Sequence, residues 1–349
     1  MAAPNLPGIS SMAVNFIQPK LRNIVYGKSM LLTTIARKRG FRDFSGLQIQ
    51  EPAVYKRLPA GAIQRGGAVT ADYSDPEMAF TINPKLYYAN VPLLAFDGLR
   101  NDGNESALSL AEARLAEANA AIGEVLGASM YFTGQNNATV GADYSAYSTT
   151  GFFSFLDPVT QDTNTNFVGG LSQWLDDGTQ VLTVGNQTRT NIGPAAGTVG
   201  GANAYLLNVN GAVTLPTINT AIGKTFFQPQ SVDTIAMGFD VFMYLINKIQ
   251  PLTRFGSEDA PMAKLGFKAV THAGVEYVAD NLCPSGALFG FDSDILHLWV
   301  SRRALGRFGF TGFKTDQITV GDVLGQVVFF GEMSYPVPRV GFRIYGATS

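Results

Sequence analysis

Residues 105–133 read ESALSLAEARLAEANAAIGEVLGASMYFT and decide the fold, because they predict one long helix. Residues spaced by three and four form one narrow, alanine-rich face of this helix: Leu108, Ala111, Leu115, Ala118, Ile122, Val125 and Ser129. Asn104 and Ser106 offer side-chain oxygens to the free amides of the first turn, and Gly134 is a suitable stop. At 1.5 Å per residue the helix spans about 40 Å, which exceeds the width of most small domains.

The segment before this helix, residues 47–96, has no helical pattern and contains three strand-like patches. They are VYKRL at 54–58, AFTI at 79–82 and LYYANV at 86–91, with turn-forming residues between them. This pattern predicts an extended β-ribbon. Because a two-stranded ribbon alone is marginally stable in water, we expect this one to lie on another molecule.

The chain after the helix predicts an α+β protein with mostly antiparallel strands. Residues 135–215 are rich in Asn, Thr, Gly and Ser, which favours loops with short strands, and residues 169–178 indicate a short helix or loop closed by a turn. Helices are expected at 216–224 and 240–249. The expected strands are 232–237, 266–271, 275–278, 287–291, 295–300, 326–331 and 339–345.

The composition limits the possible functions. Charged residues make up 15% of the 349 residues, against a usual share of about 25%. Such a surface is suited to being covered by partners, and the net charge of −2 argues against a general nucleic-acid-binding protein. The apolar stretches are too short to span a bilayer, so no membrane association is expected. The single Cys283 excludes an internal disulfide and is expected to be buried.

The charge is unevenly distributed, with a basic N-terminal region whose first acidic residue is Asp43. The basic residues before it are Lys20, Arg22, Lys28, Arg37, Lys38, Arg39 and Arg42. One interpretation is an arm that touches phosphate or an acidic neighbour. The other is a flexible terminus that its charges keep soluble.

The sequence offers no convincing catalytic, metal or cofactor site. His272 and His297 have no partner at metal-ligand spacing and are expected to be hydrogen-bonded residues of a sheet. The triplet 223–225 ends like a phosphate-binding loop but lacks its first glycine and the preceding strand. The aspartate pairs 176–177 and 292–294 suggest solvated turns. Together these features favour a structural role.

At this point the order of parts resembles the major capsid proteins of tailed bacteriophages. The most similar local stretch is a strand at 266–270, the turn DNLCPSG at 280–286 and a second strand approached through DSDILHL at 292–298. The resemblance implies their fold: N-terminal arm, extended ribbon (E-loop), long spine helix with the P-domain sheet, and central A-domain. The implied ranges are 1–46 for the arm, 47–96 for the E-loop, 97–135 for the P-domain with the spine helix, 136–301 for the A-domain and 302–349 for the P-domain return strands.

The resemblance also implies a function in assembly. Copies of the chain would form pentamers and hexamers of an icosahedral shell around double-stranded DNA, assembled in the host bacterial cytoplasm, with scaffold, portal and cement proteins as further partners. The ribbon residues expected to touch a neighbouring subunit are Lys56, Arg57, Tyr87 and Tyr88. The basic residues expected to touch DNA or an acidic surface are Arg37, Lys38, Arg39 and Arg42. Some relatives cross-link a ribbon lysine, but nothing in the sequence identifies a partner for Lys56 or Lys85, so no cross-link is expected.

Two alternatives remain open. An encapsulin-like compartment shares the fold but encloses a cargo enzyme rather than a genome. An α+β enzyme of unknown activity would use Asp292, Asp294 and His272.

Overall fold

The computed structural model describes residues 29–55, 60–62, 64–65, 77–93, 110–135, 137, 165–227, 229–249, 269–272, 274–301, 309–311, 314–315 and 323–348. The helices within these residues are α1 (Met30–Arg37), α2 (Leu110–Ser129), α3 (Leu171–Trp174), α4 (Arg189–Ile192), α5 (Leu215–Thr225) and α6 (Phe239–Ile249). A short 3-10 turn spans Pro338–Val340. None of the described helices is long and apolar enough to cross a bilayer.

The longest of the described strands are β15, with 12 residues, and β4, with 9. In chain order the strands are β1 (Phe41–Phe44), β2 (Ile49–Val54), β3 (Glu77–Ile82), β4 (Lys85–Leu93), β5 (Thr183–Val184), β6 (Gln187–Thr188), β7 (Tyr205–Ala212), β8 (Thr234–Met237), β9 (Ala269–His272), β10 (Val275–Ala279), β11 (Leu288–Phe291), β12 (His297–Ser301), β13 (Gly309–Phe310), β14 (Lys314–Thr315), β15 (Val323–Ser334) and β16 (Phe342–Thr348). Both helices expected after Pro216 and the α+β class are confirmed.

The first sheet is built around β15. One edge of β15 pairs with β12, β13 and β14, and β1 joins the sheet by pairing with β12. The other edge of β15 pairs with β4 along the whole length of β4. The prediction had placed residues 85–93 in a projecting ribbon. Instead they belong to this sheet, because the alternate residues Tyr87 and Val91 are buried beneath α2.

The second sheet has the order β7-β16-β11-β8-β10-β9. Its pairs β7–β16 and β8–β10 are parallel and the others antiparallel, so the sheet is more mixed than expected. The last strand, β16, was expected to return to the first layer. It joins this second sheet because Phe342 and Ile344 complete the core between that sheet and the helices α5 and α6.

The basic segment that precedes the ribbon is built into the body from residue 29 onward. Met30, Leu31 and Ile35 of α1 have no exposed surface, and β1 lies parallel to β12 in the first sheet. The interpretation of a flexible terminus therefore does not hold for residues 29–44. Their apolar side chains at helical spacing explain why they pack.

The long helix α2 is described from Leu110 to Ser129, shorter at its C-terminal end than the predicted stop at residue 133. The proposed capping residues Asn104 and Ser106 lie outside the described residues. Ala118, Ile122 and Ser129 of the predicted stripe are buried, as is Leu126, which the stripe did not include. Gly134 adopts the left-handed conformation at φ +62°, which suits its role in the turn after the helix.

A buried hydroxyl ties β4 to the end of α2. The Tyr87 hydroxyl donates to Ser129 Oγ at 2.9 Å and accepts from the Val168 amide at 2.8 Å. Replacing Tyr87 with Phe leaves the buried amide unsatisfied, and we expect it to lower the free energy of unfolding by about 1–3 kcal/mol. Chemical denaturation of the purified protein, followed by tryptophan fluorescence, measures this change.

The matched control is Tyr88→Phe, which removes the hydroxyl of the neighbouring, 65% exposed ring. We expect the control to change the free energy of unfolding by less than about 0.5 kcal/mol. Equal effects of the two substitutions would contradict the role assigned to the Tyr87 hydroxyl.

Candidate functional site

The base of the ribbon, formed by β2 and β3, is anchored on its own chain. Phe80 is buried with its ring edge on Trp174 at a centroid distance of 5.4 Å. The Thr81 amide donates to the Gly185 carbonyl at 2.8 Å, and a Cβ at Gly185, whose φ is +51°, would lie 2.7 Å from the Cβ of Phe80. The ribbon base therefore does not depend on another molecule, contrary to the expectation for the ribbon as a whole.

The residues predicted for intersubunit contact divide into three groups. Lys56 and Arg57 lie outside the described residues. Tyr87 is buried and its hydroxyl is bonded within the chain, so its assignment as an intersubunit contact was wrong. Tyr88 is 65% exposed, because successive side chains of a strand point to opposite faces of the sheet.

Tyr88 shares the outer face of the first sheet with another exposed apolar side chain. Leu86 is 60% exposed, two positions away on the same face. Leu86 pairs with Phe330 of β15, and Tyr88 pairs with Val328 of the same strand. Both partners are half-buried. On the ribbon, Val54 is 73% exposed at the outer end of β2. This apolar surface is available for contact with another subunit.

Two of the predicted basic residues have acidic partners within the chain. Arg37 lies 3.6 Å from Glu276, and Lys38 Nζ lies 2.7 Å from Asp294 and 3.6 Å from Asp233. Burial works against the charge of Lys38, but the hydrogen bond to Asp294 and the attraction of both aspartates outweigh it and raise its pKa. These two residues therefore join the N-terminal segment to the second sheet.

The other two basic residues are more accessible. Arg39 is exposed at the end of α1, in the left-handed conformation at φ +56°. Arg42 is exposed on β1, and its guanidinium lies 3.4 Å from His297 Nε2. Of the four residues predicted to touch DNA or an acidic surface, Arg39 and Arg42 are placed to reach one.

A polar cleft of about 190 Å³ lies where the ribbon base, the turn after α2 and β15 meet. Lys85 and Glu332 line it, and Lys85 Nζ donates to the Thr165 carbonyl at 2.7 Å. Glu332 Oε1 accepts from the amides of Gly169 and Met333. Burial raises the pKa of Glu332 to about 8, which these hydrogen bonds and the charge of Lys85 only partly offset.

The residues of the enzyme alternative are not brought together. His272 is on the edge strand β9, with its ring against Tyr277. Asp292 and Asp294 follow β11, which is separated from β9 by β8 and β10, a distance of about 14 Å at the usual strand spacing. The described residues hold no group of three or more His, Cys, Asp or Glu side chains suited to a metal ion.

The expected solvated turn at 176–177 is instead a buried charged site that the sequence did not reveal, and of the other expected pair Asp292 is also buried while Asp294 is exposed. Asp176 and Arg343 are both fully buried and form an ion pair at 3.0 Å. Burial also lowers the pKa of Arg189, beside Asp176, to about 10. A charge alternating with apolar residues in the strand pattern of 339–345 was the available signal for Arg343, but no pattern named its partner. Cys283 is buried, as expected.

Comparison with known proteins finds the same fold in solved structures of low sequence identity. No protein-family model and no curated protein sequence matches the chain. Its structure is similar to that of the Cyanophage A-1(L) capsid, with a TM-score of 0.65, 12% identity, and coverage of 97% of this chain and 98% of that one. The capsid of the native GTA particle aligns with a TM-score of 0.57, 8% identity, and coverage of 99% and 100%.

A compartment protein shows the same likeness. The SrpI encapsulin from Synechococcus elongatus PCC 7942 aligns with a TM-score of 0.56, 8% identity, and coverage of 99% of this chain and 96% of that one. At such identities the likeness shows the fold. The chain has the fold shared by these phage capsid and encapsulin subunits over nearly its whole length, as the resemblance implied.

The buried Glu332 gives the fold a pH dependence. Because its pKa in the folded protein lies above the usual unfolded value of about 4.3, its stabilising contribution is complete below that value and is lost as the pH rises to about 8. Replacing Glu332 with Gln removes this loss. We expect the variant to gain stability over the wild type by up to about 1.4 kcal/mol for each pH unit between these limits.

Thermal unfolding from pH 5 to pH 9 measures this divergence. The control is Glu77→Gln, at an exposed position on β3, which should leave the curve parallel to that of the wild type. Parallel curves for Glu332→Gln would mean that Glu332 is not held protonated by its burial.

Proposed function

We propose that this chain is a major capsid protein, a structural subunit that self-assembles through pentamers and hexamers into an icosahedral shell around a phage genome. The observation that carries this proposal is the fold likeness to the Cyanophage A-1(L) capsid, which spans 97% of this chain and 98% of that one. Such coverage supports the proposal because the shared fold accounts for nearly the whole chain.

The exposed apolar surface supports an assembly role. Leu86 and Tyr88 stand outward from the first sheet, and Val54 stands outward from the ribbon. Association of identical subunits would cover these side chains and so gain the free energy of their burial. We propose Lys56, Arg57 and Tyr88 as contacts with a neighbouring subunit.

The proposal assigns a role to each part of the chain, with residue bounds that differ from those expected from the sequence. The arm is residues 1–28, and residues 29–44 belong to the body. The E-loop narrows from 47–96 to 47–84, since β4 is part of the first sheet. The first sheet with α2 has the role of the P-domain, and the second sheet, including β16, that of the A-domain.

The proposed setting is a virion assembled in the host bacterial cytoplasm. Scaffold, portal and cement proteins are proposed as partners, together with packaged double-stranded DNA. Arg39 and Arg42 are proposed to touch the DNA phosphates without reading sequence, since an exposed guanidinium binds phosphate by charge and hydrogen bonding.

An encapsulin-like shell is the second candidate, and the likeness to the SrpI encapsulin favours it. The two candidates differ in what the shell encloses. Particles purified from the native source would contain nuclease-protected DNA if the chain is a capsid protein, and a co-purifying protein cargo without DNA if it forms an encapsulin-like compartment.

Removing the end of the ribbon tests the assembly role. Replacing residues 56–76 with a short glycine linker keeps β2, β3 and β4, so we expect a folded subunit that no longer assembles. Sedimentation velocity should show shells or capsomers for the wild type and small species for the variant, while circular dichroism and denaturation show the same fold. Wild-type-like shells from the deletion variant would contradict a role of the ribbon between subunits.

The basic residues provide a separate test. Replacing Arg39 and Arg42 with Gln should weaken binding of double-stranded DNA and reduce the slope of log affinity against log salt by about 2 in magnitude. The control replaces Arg37 and Lys38, which removes the same charge from residues that already have carboxylate partners. We expect that control to lower stability while the salt slope stays near that of the wild type. Equal slopes for all three proteins would refute the proposed phosphate contact.

A further inference from the structure

Three side chains from three strands meet on one face of the first sheet, where the ribbon base lies over it. His297 of β12 is central to this group. Its Nε2 lies 3.4 Å from the Arg42 guanidinium of β1, and its Nδ1 lies 3.6 Å from Glu51 Oε1 of β2. The side chains of His297 and Glu51 are 15% and 11% exposed, so water screens their interaction only weakly.

The hydrogen bonding of this group is incomplete. Within the described part of the chain, His297 Nδ1 and Glu51 Oε2 are buried without a hydrogen-bond partner. A buried polar atom without a partner costs free energy, and 3.6 Å is too long for a hydrogen bond between the two side chains. The gap between Nδ1 and Glu51 therefore leaves room for a closer contact.

The contact with Arg42 indicates which ring nitrogen carries the proton when the imidazole is neutral. A guanidinium only donates, so Nε2 must be an unprotonated acceptor, and the single proton of neutral His297 is on Nδ1. A second proton would have to be added at Nε2, directly facing the Arg42 charge. The doubly protonated ring would lose its hydrogen bond to Arg42 and attract the carboxylate of Glu51.

We propose that His297 is a proton-dependent switch that exchanges Arg42 for Glu51 as its partner. Neutral His297 holds Arg42 on β1. Protonated His297 forms an ion pair with Glu51, which tightens the ribbon base onto β12 and turns the Arg42 side chain toward solvent. This exchange takes place within one chain and does not depend on whether the chain forms a shell.

The surrounding charges allow both states. Arg42 lies against Nε2, where the second proton would be added, and the Glu51 carboxylate lies beside Nδ1. His297 pairs with Ser334 of β15. Glu332, two residues before Ser334 on that strand, lies on the same face of the sheet. Asp43 is next to Arg42 but points to the other face, and the pair of Lys38 and Asp294 lies just before β12.

Hydrogen–deuterium exchange of the full chain carrying Glu332→Gln tests the switch, because that substitution removes the separate pH dependence that Glu332 gives to the stability. We expect the protection of peptides covering residues 49–54, corrected for intrinsic exchange, to rise roughly fivefold when the pH is lowered from 7.5 to 5.5. Replacing His297 with Gln should abolish this rise. Replacing Glu51 with Gln should abolish it as well, and this second variant keeps the histidine and its packing.

The chain supplies a matched control in its only other histidine. His272→Gln changes a ring that packs on Tyr277 in the second sheet, so it should keep the full pH response of the ribbon base. A rise in protection that persists in both His297→Gln and Glu51→Gln, each combined with Glu332→Gln, would overturn the proposal, as would its absence from the chain that carries Glu332→Gln alone.

Discussion

Main-chain hydrogen bonds join β4 to β15 along all nine residues of β4, and this ladder places the other parts of the described chain. Its inner face carries Tyr87 and Val91, on which α2 packs. Its N-terminal end follows directly from β3, so the ladder also fixes where the ribbon leaves the body. The opposite edge of β15 holds β12, through which β1 and the connection to the second sheet are placed. Loss of this ladder would remove the support of the helix, the ribbon and the N-terminal strand together.

The same ladder separates the two uses of the sheet. Because side chains alternate between faces, one row of aromatic and apolar residues builds the core and the next stands outward. Tyr87 is 7% exposed and bonded to Ser129, whereas the adjacent Tyr88 is 65% exposed. The inner row stabilises the subunit, and we propose that the outer row stabilises contacts between subunits. A short stretch of one strand thus serves both folding and assembly.

Local patterns in the sequence were sufficient to predict individual helices and strands. The helices α2, α5 and α6 follow from apolar spacing, and the strands from β-branched and aromatic runs. The partners of those strands depend on tertiary packing, so the sheet that β16 joins could not be read from its own residues. Tyr87 and Tyr88 were both expected to touch a neighbouring subunit, although adjacent residues of a strand lie on opposite faces, and the sequence did not show which face is covered. The pairing of Asp176 with Arg343 joins residues far apart in the chain, and only the fold brings them together.

By contrast, Met30, Leu31 and Ile35 gave a helical signal that the basic character of the N-terminal region obscured.

The central claim is that this chain is a shell subunit whose ribbon and outer sheet face are covered by neighbouring copies. Electron cryo-microscopy of the purified, assembled protein tests it most directly. The account predicts closed particles with fivefold and sixfold clusters of subunits, in which Val54, Leu86 and Tyr88 are buried against a neighbouring chain. A monodisperse monomer at high concentration, or particles in which these three side chains remain in solvent, would contradict it.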